Sequence, residues 1–85
     1  MKNFRAKYEK LENEVLEALL KKVEKSTYQS EHISDKSFKL PETYEGCSEI
    51  AILHDRLVLL DFDGYHYTVQ DSDIRALAFM VCEKK

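Results

Sequence analysis

Glycine, proline and cysteine are scarce in this chain of 85 residues, which holds two Gly, one Pro, two Cys and no Trp. Gly46 and Gly64 stand alone, so there is no glycine-rich phosphate loop. Cys47 and Cys82, without CxxC spacing, supply neither a disulfide framework nor the four ligands of a structural zinc site, and a reduced cytoplasm is the expected setting. No stretch approaches the length of uncharged apolar residues that spans a membrane, and no membrane partner is expected. After Lys2 and Arg5, the charges at Lys7, Glu9, Lys10 and Glu12 interrupt the apolar run that a signal peptide needs. An excess of positive charge is missing too: 13 basic against 16 acidic residues, net −3, exerts no general pull on nucleic acid.

The chain does hold enough apolar side chains to fold. Ile, Leu, Val and Phe make up 23 of the 85 residues, above the roughly 20% that marks disordered compositions. Residues 1–85 are read as a single domain, with 26–49 partly irregular and no internal repeat. A chain this short buries little more than about 60% of its extended surface, so its core is small.

From Phe4 to Lys25 the apolar positions Phe4, Tyr8, Leu11, Val15 and Leu19 step by four and three, which lays one stripe along an α-helix. Leu16, Leu20 and Val23 widen that stripe in its second half. The stretch Ser26–Glu49 has no sustained period; Ser37–Leu40 alternates over four residues and is read as a short strand ending at Pro41 or lying at a sheet edge. Ile50–Leu53, Leu57–Phe62 and Tyr65–Gln70 then read as strands. Asp63-Gly64 between the last two is the signature of a two-residue type I′ hairpin, which sets Phe62 against Tyr65, Leu60 against Tyr67, Val58 against Val69 and Asp61 against His66. That register makes the Phe62/Leu60/Val58 face wholly apolar and the Leu57/Leu59 face mixed. Asp71, Ser72 and Asp73 favour a helix start, and Ile74, Leu77, Ala78 and Val81 continue it at helical spacing. The expected fold is α+β: a long N-terminal helix, a three-stranded antiparallel meander or a four-stranded one if Ser37–Leu40 joins, and a short C-terminal helix, with the helices on the Phe62/Leu60/Val58 face.

The string Leu57-Val58-Leu59-Leu60-Asp61-Phe62-Asp63-Gly64 resembles the first motif of the haloacid dehalogenase-like phosphatases, in which an apolar strand ends in Asp-x-Asp-Gly-Thr. The resemblance implies Asp61 as nucleophile and Asp63 as general acid/base, with Mg²⁺ near both. It covers eight residues, Tyr65 stands where the family has Thr, and the 21 residues after Gly64 are too few for the crossovers of a parallel sheet. A hairpin turn accounts for the same residues. The metal-dependent alternative is a site built from Asp61, Asp63 and His66, since Asp61 facing His66 could orient the imidazole; His54 belongs to the loop at the other end of the meander, roughly 20 Å away. Nucleophilic catalysis would otherwise need Cys47 or a Ser near one of the three histidines, and nothing in the sequence ties them together; Cys82 reads as a semi-buried structural cysteine. Tyr65 and Tyr67, placed on the core-like face, are withheld from base stacking, and no nucleic-acid fingerprint is present.

The reading favoured by these residues is a non-catalytic interaction or assembly domain, without cofactor, that forms a homodimer or meets another protein partner. A helix from Phe4 to Lys25 would be about 33 Å long against about 20 Å for a six-residue strand. Its overhang would carry Phe4, Tyr8 and Leu11 beyond the sheet, and Leu57 and Leu59 on the mixed face would add a second apolar patch. These five residues are the expected interface.

Overall fold

A computed structural model describes residues 13–54 and 56–82. Helix α1 spans Asn13–Glu24, followed by strands β1 (Ser37–Tyr44), β2 (Cys47–Leu53), β3 (Arg56–Asp61) and β4 (His66–Thr68), and helix α2 (Asp71–Cys82). The strands form one antiparallel sheet in the order β1-β2-β3-β4. This is the α+β fold expected, in its four-stranded form. Phe4, Tyr8 and Leu11 lie outside the described residues, and so does the first part of the expected long helix.

Both helices pack on one face of the sheet. Leu16, Leu19, Leu20 and Val23 of α1 and Ile74, Leu77 and Val81 of α2 close over Leu40, Cys47, Ile50, Leu57 and Leu59. The helices therefore cover the Leu57/Leu59 face, and the expected assignment of faces is inverted. Leu57 and Leu59, placed by the sequence on an exposed interface, retain 0% and 4% of their exposure and belong to the core.

The opposite face is covered as well. Ala51, Val58 and Leu60 are buried there, with Ile33 and Leu53 packed against them, because the segment between α1 and β1 crosses that side. The phenol of Tyr28 in this segment donates to Glu49 Oε2 at 3.2 Å. Gln29 Nε2 donates to the Ile33 carbonyl at 2.8 Å, which holds the segment in shape. Burial on both faces explains the unbroken apolar run Leu57–Leu60, since a strand covered on one side alternates instead.

Turn geometry decides which side chains share a face. Glu45 and Gly46 both have positive φ (52° and 78°), and Tyr44 pairs with Cys47, so the two-residue type I′ turn lies between β1 and β2. At Asp63-Gly64 only Gly64 has positive φ; its N–H donates to the Asp61 carbonyl, and the Asp61 N–H donates to the Tyr65 carbonyl. This is a three-residue loop ending in a left-handed glycine. Val58 consequently pairs with Thr68, Leu59 with Tyr67 and Leu60 with His66, one residue away from the expected register. A slip of one residue turns every β4 side chain to the other face. Pro41 sits inside β1 rather than ending it, which an edge strand allows because its outer N–H has no ladder partner to lose.

Candidate functional site

The polar side chains converge at the end of the sheet where the β1–β2 turn, the β3–β4 loop and the start of α2 meet. Glu45, Gly46, Cys47, Leu59, Asp61, Tyr67, Thr68 and Asp73 line a hollow of about 400 Å³ there. Gln70 is the N-cap of α2, since its carbonyl accepts the first helical hydrogen bond from Ile74. Asp73, three residues on, reaches back to the Gln70 N–H at 2.9 Å as one half of a capping box. Its other oxygen accepts the Tyr44 hydroxyl at 2.7 Å, tying α2 to β1. That hydrogen bond, with burial and the Asp73 charge adding to it, pushes the Tyr44 pKa up to about 12.

Asp61 is the organiser of its own loop. One carboxylate oxygen accepts the N–H groups of Asp63 (2.9 Å) and Tyr65 (3.0 Å), and the other accepts the Tyr67 hydroxyl at 3.1 Å. Burial acts to raise its pKa, but these hydrogen bonds together outweigh it and hold the carboxyl below its ordinary value. Donating to Asp61 in turn raises the Tyr67 pKa. All of this is the chemistry of a carboxylate that shapes a turn.

The three residues of the metal-dependent alternative are not brought together. Asp61 projects to the helix face, where it pairs with Cys47. His66 pairs with Leu60, whose side chain lies on the opposite face, so the expected Asp61–His66 contact does not form. Asp63 is exposed at the loop tip. His54, in the β2–β3 turn with φ of 56°, belongs to the far end of the meander. Among the described residues no group of three or more His, Cys, Asp or Glu is arranged to hold a metal ion. The Asp61/Asp63 pair of the phosphatase resemblance sits in an antiparallel hairpin instead of at the end of a parallel strand.

Cys47 and Cys82 form no disulfide. Burial, then the charges of Asp61, Glu45 and Asp73, push the Cys47 thiol pKa up, which opposes the thiolate that nucleophilic attack requires.

The aromatic side chains are where sequence reasoning went furthest astray. Phe62 and Tyr65 are each 67% exposed and Tyr67 51%, whereas the two-residue register would have put all three on a buried face. Their setting is acidic: residues 61–73 contain Asp61, Asp63, Asp71 and Asp73 and no Lys or Arg. Such a surface repels phosphate. Glu45-Gly46, a turn dipeptide in the stretch read as irregular, is the sequence signal that would have located the hollow. Among the described residues no helix is long and apolar enough to cross a membrane. No protein-family model, curated protein or solved structure matches this chain.

Proposed function

We propose that this chain is a small non-catalytic interaction or assembly domain that self-associates as a homodimer, using the outer face of its helix pair, in a reduced cytoplasmic setting. The observation that carries the reading is Phe79 of α2, 74% exposed, the most exposed large hydrophobic side chain among the described residues. It borders an open hollow of about 400 Å³ between the two helices, lined also by Val15, Ala18, Ala78 and Cys82, with Glu14 and Arg75 at the same groove. An aromatic beside a groove of small apolar residues is self-complementary under two-fold symmetry, because each copy offers both the knob and the hole. In the sequence, Phe4, Tyr8 and Leu11 lead by steps of three and four to Val15, a lining residue.

Light scattering coupled to size exclusion at tens of micromolar tests the reading. The expected result is a mass of two chains for the wild type and one for Phe79→Asp, with the variant's melting temperature at least as high once dilution has dissociated the wild type. A wild-type mass of one chain at that concentration refutes self-association. A Phe79→Asp variant that stays dimeric moves the interface away from the helix pair.

A further inference from the structure

Among the described residues the sheet is open at β4, and this edge differs from the edge at β1. Strand β1 carries Lys39 and Pro41 and a break in register between Lys39 and Tyr44, three features that deter a further strand. Strand β4 has no Lys, no Pro and no bulge. Alternate residues of an antiparallel ladder turn their N–H and C=O groups to the same neighbour. The Asp61 N–H donates to the Tyr65 carbonyl and the Val69 N–H to the Leu57 carbonyl, so Tyr65, Tyr67 and Val69 face β3. The backbone N–H and C=O groups of His66 and Thr68 therefore point outward, where among the described residues the Thr68 carbonyl accepts from the Gln70 side-chain amide at 3.4 Å.

We propose that this edge receives an extended, basic segment of a partner protein, which adds a fifth strand beside β4 and sends a lysine or arginine side chain over Tyr67 into the hollow lined by Glu45, Asp61 and Asp73. Charge selects this occupant. The hollow has three carboxylates and no basic lining residue, and the flanking chain from Asp61 to Asp73 adds Asp63 and Asp71. A second copy pairing β4 with β4 would bring the four aspartates that flank β4 towards four more, and such like-charge juxtaposition disfavours the pairing. A basic strand meets the same field as attraction.

The geometry suits a long cationic side chain. A residue of the incoming strand opposite Tyr67 projects to the same face as Tyr67, about 5 Å from it, within reach of the ring and of the hollow beyond. Asp61 and Asp73 are already held by the Asp63, Tyr65 and Gln70 amides and the Tyr67 and Tyr44 hydroxyls, so they present charge in fixed positions. Phe62 and Tyr65, both 67% exposed, extend the contact at the loop tip. This surface is separate from the helix groove around Phe79, and the two proposals stand or fall independently.

The test uses the full chain and a fluorophore-labelled peptide of alternating lysine and threonine, titrated by anisotropy at low and high salt. Amide chemical shifts locate the contact. The expected result is saturable binding that weakens with salt, with shift changes at His66, Tyr67 and Thr68. Glu45→Lys should weaken it at least about tenfold, a loss of roughly 1.4 kcal/mol. Thr68→Pro, which removes an outward donor without touching the β3 ladder, should weaken it likewise while the melting curve stays cooperative. An alternating glutamate–threonine peptide should not bind. The proposal is overturned by absent binding at low salt, by equal binding of the acidic peptide, by shifts that map to the helix groove, or by concentration-dependent shifts at His66–Thr68 in the protein alone, which would make the occupant a second copy.

Discussion

Replacing Gly64 by Ala tests the loop on which the sheet's register depends. At φ of +89° an L-residue is strained, and holding one in a sparsely populated region costs about 1–3 kcal/mol. A Cβ there would also lie 2.7 Å from Nδ1 and 2.9 Å from Cγ of His32, and 3.3 Å from its Cβ. His32 belongs to the segment that covers the Ala51/Val58/Leu60 face, so displacing its ring disturbs that cover as well as the hairpin. A loss of about 2 kcal/mol lowers the melting temperature of a domain this size by about 8–16 °C. Denaturation of Gly64→Ala in two backgrounds separates the effects. With His32→Ala the ring contacts disappear and the backbone strain remains, so the penalty should shrink by about 0.5–1 kcal/mol, a coupling ordinary for residues in contact. An unchanged melting temperature for Gly64→Ala refutes the left-handed assignment. An identical penalty in both backgrounds refutes the role given to His32.

Leu59→Ala should cost about 2–5 kcal/mol in chemical denaturation and Tyr67→Ala, its exposed cross-strand neighbour, clearly less; the reverse order would mean the helices cover the other face. Tyr28→Phe should destabilise by about 1–3 kcal/mol, because it strips the hydrogen bond from a carboxylate only 4% exposed. The Tyr44 pKa is raised on folding from 10.0 to about 12, so its hydrogen bond to Asp73 contributes fully below pH 10 and is lost as pH rises towards 12. Melting curves across that window should fall more steeply for the wild type than for Tyr44→Phe. Asp61 behaves oppositely: its lowered pKa stabilises the fold above the ordinary value of 3.8 and ceases to as the carboxyl protonates below it, so Asp61→Asn should flatten the acid side of the stability profile.

Local chemistry in the sequence was sufficient for the type and order of the elements, though not for the full extent of β1 and β2 or the turn between them. The steps of three and four through Val15 and Leu19 mark a helix because only a 3.6-residue period brings those side chains to one side, and Asp71 and Asp73 mark the start of the second because carboxylates favour a helix N-terminus. Asp63-Gly64 located a turn between two strands. Which turn it is depended on partners distant in sequence or folded back locally: the His32 ring against Gly64, and the Asp61 carboxylate gathering the amides of Asp63 and Tyr65. That single choice between a two-residue and a three-residue loop shifts β4 by one residue, exposes Tyr65 and Tyr67 and parts His66 from Asp61. The unbroken run Leu57–Leu60 fits burial on both sides, but the alternation reads as one apolar and one mixed face. Only the tertiary fold brought the irregular segment around Ile33 across one face and the helices across the other, because a side-chain pattern records that a surface is covered and not what covers it.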